Sequence, residues 1–226
     1  MSSAAAYLAL LAGIVVWALL VRKLTTRPWE VGAVGHSAVD DLPNAAPARV
    51  GLWVFLAVVT SLFALFMSAY YMRMGHGHGQ PHDWHPLTEP RILWINSVLL
   101  VAASIAMQRS RACIQRAHVA AARDALLIGG LLTLLFLSGQ VYAWTSVHDS
   151  GLFTATNPAV AFFYVITIVH GLHLLGGLFV WARTLRRMSV KRPEPIDVRL
   201  SIELCTVYWH YLLVVWLVLF ALLLLT

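Results

Sequence analysis

Charged residues are scarce in this sequence of 226 residues. Asp, Glu, Lys and Arg make up 12% of the chain, whereas a soluble domain contains roughly 25%. Hydrophobic residues make up 60%, and the mean hydropathy is +0.75. The apolar residues form runs that are too long for the core helices of a soluble protein, so the sequence predicts a polytopic membrane protein.

Cysteine is almost absent, and the N-terminus lacks the features of a cleaved leader. Cys113 lies in a basic loop and Cys205 near the start of the last apolar run, so neither a disulfide nor a cysteine-based zinc site is expected. The segment "MSSAAAYLALLAGIVVWALLVRK" has no basic start and no clear small-residue cleavage site. It is therefore predicted to be a retained first span rather than a signal peptide.

Six segments are long and apolar enough to cross a bilayer, which takes about 20 helical residues for each crossing. They cover residues 5–22, 51–72, 92–108, 125–144, 159–182 and 203–225. None alternates apolar and polar residues as a barrel strand does, so the predicted fold class is an all-α membrane helix bundle with six transmembrane helices. Residues 1–22 form the first helix, residues 23–50 a linker and residues 51–226 a compact bundle.

Basic residues concentrate in the loops that follow the first, third and fifth spans. The loops after the second and fourth spans hold only Arg73 and Arg91. By the positive-inside rule, the three basic loops lie in the cytoplasm and both termini lie outside. The net charge of +6 therefore reflects topology and contact with anionic lipid, and no nucleic-acid partner is expected.

No Asp, Glu, Lys or Arg lies well inside a predicted span. Transporters and pumps usually place ionisable groups at membrane depth, so this chain is not expected to move protons by itself. The polar side chains that remain at depth are Asn96, Gln140, Thr167, His170, His173 and His210.

The stretch "VITIVHGLHLLGG" places His170 and His173 on one helical face, which Gly177 shares. This stripe favours close helix packing, in which glycine lets backbones approach and the imidazoles hydrogen-bond across helices. Haem or metal ligation and a lipid- or proton-linked role are the alternatives. Haem ligation would need a facing histidine on another helix, for which His210 is a candidate.

The last span, "IELCTVYWHYLLVVWLVLF", has Glu203 and His210 on nearly the same face, with Tyr208, Trp209 and Tyr211 around them. Aromatic residues near the end of a span are typical of an interfacial anchoring belt. The alternative is that Glu203 and His210 contact a partner or a lipid head group.

A histidine-rich outer loop, "GHGHGQPHDWH", could bind Cu²⁺ or Zn²⁺. Its glycines and proline fix no coordination geometry, so an exposed polar loop is the favoured interpretation. The candidate ligands are His76, His78, His82 and His85.

These segments, in order, resemble subunit III of the haem–copper terminal oxidases, the cytochrome c and quinol oxidase family. The resemblance covers residues 49–226 and implies a five-helix core, to which the first span adds one extra helix. It rests on "GLWVFLAVVTSLFALFMSAYY", "FLSGQVYAW", "ATNPAVAFFYVITIVHGLHLLGG" and "IELCTVYWHYLLVVWLVLF".

The resemblance implies a non-catalytic accessory subunit of an oxidase in the bacterial inner membrane. The complex would reduce O₂ and translocate protons, with haem and copper in subunits I and II and none in this chain. The chain would stabilise subunit I and bind phospholipid between its helices. A respiratory supercomplex is a further partner that the resemblance allows. Residues assigned to packing or lipid contact are His170, His173, Gly177, Glu203, Trp209 and His210.

Two positions depart from the family pattern, and two other functions stay open. Val59 stands where the family has a buried Glu, and Leu213 where it has an acid after Trp-His. Roles that depend on those carboxylates are not expected here. The alternatives are an accessory subunit of a nitric oxide reductase, whose small membrane subunit looks similar, and a free-standing metal carrier that uses the outer histidines.

Overall fold

The computed structural model describes residues 45–75, 92–149, 158–190 and 195–224. These residues form five helices and, within those ranges, no strand. The helices are α1 (Ala45–Gly75), α2 (Ile92–Gln115), α3 (Val119–Asp149), α4 (Pro158–Val190) and α5 (Pro195–Leu224). Each is long and apolar enough to cross a membrane. The all-α membrane fold is thus confirmed for the described ranges, whereas the predicted span 5–22 lies outside them, and the sixth helix and the placement of the termini stay predictions.

The helices extend beyond the apolar segments that predicted them. Helix α2 continues past residue 108 to Gln115, so Cys113 lies in a helix and not in a loop. Helix α5 begins at Pro195, which places Glu203 within it rather than at its entrance. Residues 45–50, predicted as linker, are the first residues of α1. Hydropathy marks only the part of a helix in hydrocarbon, and arginine and glutamine sustain a helix beyond it.

A tight turn over residues 116–118 joins α2 to α3. The N–H of Ala117 donates to the Ile114 carbonyl at 3.1 Å, and the N–H of His118 donates to the Cys113 carbonyl at 3.0 Å. This pair of bonds is a Schellman motif, which satisfies carbonyls at the end of α2. Ala117 has a φ of 61°, the left-handed conformation that this motif usually assigns to glycine.

Helices α2 to α5 form a four-helix bundle, in which α2 packs on α3 and α5 while α4 packs on the same two helices. The order of the contacts along the two helices shows that α2 and α5 are antiparallel. Ser97 of α2 bonds Trp216 of α5, whereas Arg111, farther along α2, bonds Glu203, earlier in α5. The described residues 45–68 of α1 belong to a unit separate from residues 69–226.

The antiparallel order gathers arginines at one end of the four-helix bundle, called the basic end here. The end of α2, the start of α3, the end of α4 and the start of α5 meet there. Its arginines are Arg109, Arg111, Arg116, Arg123, Arg183, Arg186, Arg187 and Arg199. These residues come from two of the three loops that the positive-inside rule assigned to the cytoplasm.

Candidate functional site

The centre of the bundle is a cluster of Ser97, Phe136, His170 and Trp216, one residue from each of α2 to α5. The ring centroid of His170 lies 6.0 Å from that of Phe136 and 5.4 Å from that of Trp216. Phe136 and Trp216 meet edge to face at 4.9 Å and 89°. The indole Nε1 of Trp216 donates to Ser97 Oγ at 2.9 Å. We call these four residues the central cluster.

The central cluster joins the four helices by aromatic packing and by a hydrogen bond. Edge-to-face aromatic pairs stabilise a fold by about 0.5–1.5 kcal/mol beyond burial of their area. His170 is 1% exposed and enclosed by the Phe136 and Trp216 rings. This environment suits a core residue and not a ligand that is open to a haem. Trp216, which sequence reasoning did not single out, lies seven residues after Trp209, a spacing that could have indicated a shared helical face.

Tryptophans also connect the helices outside the central cluster. Trp209 of α5 donates from Nε1 to Thr133 Oγ1 of α3 at 2.9 Å. Trp144 of α3 donates to Thr167 Oγ1 of α4 at 3.0 Å. Hydrogen bonds between membrane helices contribute roughly 0.6–2 kcal/mol each. Trp209 is 0% exposed, so it is not part of an interfacial belt. It packs inside the bundle.

Gly177 lies where two aromatic rings of α5 press against α4. A Cβ at this position would lie 2.7 Å from Tyr208 Cε1 and 3.2 Å from Trp209 Cζ3. The Tyr208 hydroxyl donates to the backbone carbonyl of His173 at 2.8 Å. The glycine therefore makes room for side-chain rings, rather than for a bare backbone as predicted, and this contact holds α4 against α5.

His173 and His210 lie at the surface of the bundle, unlike His170. His173 is half-buried and its Nδ1 is 2.7 Å from the Val169 carbonyl; His210 is exposed and its Nδ1 is 2.7 Å from the Thr206 carbonyl. Because a carbonyl only accepts, Nδ1 carries the proton in both rings. These bonds stay within one helix, so they are not the cross-helix bonds that the sequence predicted. In the neutral ring, Nε2 then carries the lone pair.

An ion pair joins α2 to α5 at the basic end. Nη2 of Arg111 lies 2.7 Å from Oε1 of Glu203, and the side chains are 32% and 20% exposed. A partner or a lipid head group was the alternative that the sequence left open for Glu203, and the structure shows an arginine of the same chain beside it. The sequence explained Arg111 by the positive-inside rule alone. Nothing in the sequence indicated that it also forms an ion pair with Glu203.

Two further polar residues at depth pair with each other. Asn96 of α2 donates from Nδ2 to Gln140 Oε1 of α3 at 3.4 Å. The sequence singled out both residues at depth but could not pair them. Thr167 donates to the Phe163 carbonyl at 2.6 Å while it accepts from Trp144.

Metal ligands do not come together in the part of the chain that the structure describes. No three His, Cys, Asp or Glu side chains there are close enough to hold an ion. The outer histidines lie outside the described residues, so the metal hypothesis stays a prediction for His76, His78, His82 and His85. Val59 is buried in α1 and Leu213 is half-buried in α5; both are apolar where the resemblance would place carboxylates.

Comparison with known proteins extends the resemblance beyond residues 49–226. The family model described as cytochrome c oxidase subunit III matches residues 7–225. "Cytochrome c oxidase subunit 3" of Synechocystis sp. is 29% identical over 190 residues, which cover 84% of this chain and 78% of the relative. "Probable cytochrome c oxidase subunit 3" of Mycobacterium leprae is 28% identical over 199 residues, with coverage of 87% and 96%. The Nocardia farcinica protein of the same description is 27% identical over 203 residues, with coverage of 88% and 97%.

Proposed function

The chain belongs to the cytochrome c oxidase subunit III family, and from this premise we propose that it is the non-catalytic accessory subunit of a haem–copper terminal oxidase in a bacterial cytoplasmic membrane. Members of this family are subunits of cytochrome c oxidase, a respiratory complex that contains other subunits. Subunits I and II would hold the haem and copper, reduce O₂ and translocate protons. This chain would hold no redox centre, stabilise subunit I and bind phospholipid.

The use of the polar groups at membrane depth carries this proposal. Trp216 bonds Ser97, Trp209 bonds Thr133, and His170 is enclosed by aromatic rings. Each of these contacts joins one helix to another. A bundle that uses its interior polar groups in this way is suited to act as a rigid support for a neighbouring subunit.

The outer surface supports a role among lipids and membrane subunits. Large apolar side chains are exposed on all five described helices, among them Val98 at 67%, Leu172 at 60% and Phe179 at 72%. Hydrocarbon chains or another membrane subunit would cover such surfaces. The arginines of the basic end favour anionic head groups of the cytoplasmic leaflet, which agrees with the proposed orientation.

Purification of the tagged full-length chain from its native membranes tests the proposal. We expect a large haem-containing partner by mass spectrometry, haem absorption that comes from the partner, and consumption of O₂ by the complex. A Soret band from the isolated, folded chain would contradict the absence of a redox centre. A complex that reduces NO and not O₂ would instead identify a nitric oxide reductase accessory subunit, although the names of the relatives favour the oxidase.

Deletion of this chain tests the stabilising role. The remaining complex should assemble with unaltered haem absorption but lose activity sooner during turnover or heating. An equal half-life with and without the chain would contradict stabilisation of subunit I. The lipid role is checked on the same preparations, since the complete complex should retain more phospholipid after detergent washing.

A further inference from the structure

The amides of Asn96 and Gln140 meet in the interior of the bundle, between α2 and α3. Their side chains are 0% and 2% exposed. Only one bond joins them, from Asn96 Nδ2 to Gln140 Oε1, and its 3.4 Å length is beyond the usual range. Asn96 Oδ1 and Gln140 Nε2 are shielded from solvent and have no hydrogen-bond partner among the described residues. The pair thus leaves one acceptor and one donor unused.

This imbalance does not depend on how the amide groups are oriented. Turning both amides would exchange the donor and acceptor roles and again leave one of each unused. The position of Gly139 supports the orientation of the Asn96 amide given above. Asn96 Oδ1 lies against Gly139, at the place that a Cβ would occupy. The Cα–H group of a glycine can donate a weak hydrogen bond to an oxygen at this place, but it cannot accept one from an NH₂ group.

Two interior hydroxyl groups, those of Ser97 in α2 and Thr167 in α4, are already engaged in other bonds. Ser97 Oγ donates to the Leu93 carbonyl at 2.8 Å and accepts from Trp216. Thr167 Oγ1 likewise donates to a carbonyl and accepts from an indole. The unused atoms of the amide pair therefore need a partner that can both donate and accept.

The geometry of the pair suits a small ligand that can both donate and accept a hydrogen bond. Asn96 Oδ1 shares its carbon atom with Nδ2, and Gln140 Nε2 shares its carbon atom with Oε1. The two unused atoms are therefore each one carbon atom away from the existing bond, and one molecule can reach both. Internal waters typically occupy such sites, where they make about three hydrogen bonds to buried polar groups.

We propose that Asn96 and Gln140 bind one internal water molecule, which accepts a hydrogen bond from Gln140 Nε2 and donates one to Asn96 Oδ1. The water forms a second link between α2 and α3 beside the central cluster, since Asn96 precedes Ser97 and Gln140 lies one turn after Phe136. This site belongs to the chain itself and does not depend on the proposed oxidase partner.

A cryo-electron microscopy map of the chain in its purified native complex is the direct test. The expected result is a density peak within hydrogen-bonding distance of both amides, at a resolution that shows other internal waters of the complex. Two direct bonds between the amides, with no peak beside them, would overturn the proposal. This measurement needs no variant, so it does not depend on whether a substituted chain folds.

Replacement of Gln140 by methionine, which has a similar shape and no donor, gives a second test. Gln140→Met should remove the peak and, because it also removes the Oε1 acceptor of Asn96 Nδ2, should raise the unfolding equilibrium constant of the full-length chain about fivefold to tenfold. A peak that persists unchanged in the variant would overturn the proposal, because Gln140 would then not hold the water. Ser138→Ala is the control: Ser138 is exposed and bonds its own helix, so its constant should stay within about twofold.

Discussion

Trp216 and Ser97 are separated by 119 residues in the sequence, yet the indole Nε1 and the hydroxyl Oγ lie 2.9 Å apart. Ser97 also donates to the Leu93 carbonyl, so its single hydroxyl serves α2 as a donor and α5 as an acceptor. Trp216 packs on Phe136 at the same point. Ser97 therefore links the last helix to α2 within the central cluster.

The losses caused by removing the Ser97 hydroxyl and the Trp216 indole should be coupled rather than additive. Ser97→Ala leaves the buried Trp216 N–H unsatisfied, which should lower the free energy of unfolding by about 1–3 kcal/mol. Trp216→Phe should therefore be less harmful in the Ser97→Ala background than in the wild type. Denaturant unfolding of the purified chain in detergent micelles measures this difference. Strictly additive losses in the double-mutant cycle would show that the two side chains are not coupled.

Two adjacent glycines of α4 should respond in opposite ways to the same substitution. A Cβ at Gly177 would press on the Tyr208 and Trp209 rings, so Gly177→Ala should destabilise the chain by about 1–3 kcal/mol. Gly176 has nothing within 4 Å of a Cβ, so Gly176→Ala should be neutral or stabilise by up to about 1 kcal/mol through helix propensity. Thermal unfolding of both variants tests the pair, and equal losses would mean that the rings move aside.

Sequence alone identified the helices but not their partners. Each of the five described helices coincides with an apolar run, because a run of that length in hydrocarbon has only the helix to satisfy its backbone. The shared face of His170 and Gly177 also followed from helical spacing. By contrast, the pairing of Trp216 with Ser97 depends on which helices are neighbours, and hydropathy contains no information on that.

The ends of the helices were predicted least well, for a related reason. Arg111 lies just past the end of an apolar run in the sequence, and charge asymmetry alone explains its presence in a segment that is predicted to be cytoplasmic. Its ion pair with Glu203 arises only because α2 continues past the run and α5 starts before its own. The family resemblance, by contrast, was confirmed over most of the chain, since it rests on motifs and not on contacts.

The ion pair between α2 and α5 should contribute to stability in a salt-dependent way. Glu203→Gln removes the charge but keeps the shape, and should lower the free energy of unfolding by about 1 kcal/mol at low ionic strength. The loss should shrink in about 1 M salt, because screening then acts over about 3 Å. The Arg123–Asp124 pair is the matched control, since it is 3.4 Å long and its side chains are 47% and 64% exposed. Asp124→Asn should change stability by less than about 0.3 kcal/mol; an equal loss in both variants would refute a specific role for Glu203.

The turn between α2 and α3 should become more stable with glycine. Ala117 adopts a φ of 61°, which costs a residue with a Cβ about 1 kcal/mol. Ala117→Gly should therefore stabilise the chain by up to about 1 kcal/mol, after the entropy of the unfolded glycine is included. Ala120→Gly, at an exposed helical position three residues later, should destabilise it by about 0.5–1 kcal/mol. Thermal unfolding of the two variants measures the difference in sign; destabilisation by both would show that the turn is not strained.

The two histidines of α4 should separate the stability of the bundle from its association with partners. His170 lies between Phe136 and Trp216, so His170→Ala should open a cavity and lower the free energy of unfolding by about 2 kcal/mol or more. His173 is half-buried at the surface and its Nδ1 bonds its own helix. His173→Leu should therefore leave the isolated chain nearly as stable as the wild type, while it removes a polar group from the outer face. If this face serves subunit I or phospholipid, the purified His173→Leu complex should lose this chain or its lipid during detergent washing, with unaltered haem absorption. Quantitative mass spectrometry of subunits and lipids measures both losses, and a variant complex that keeps its full subunit and lipid content would assign His173 to the bundle alone.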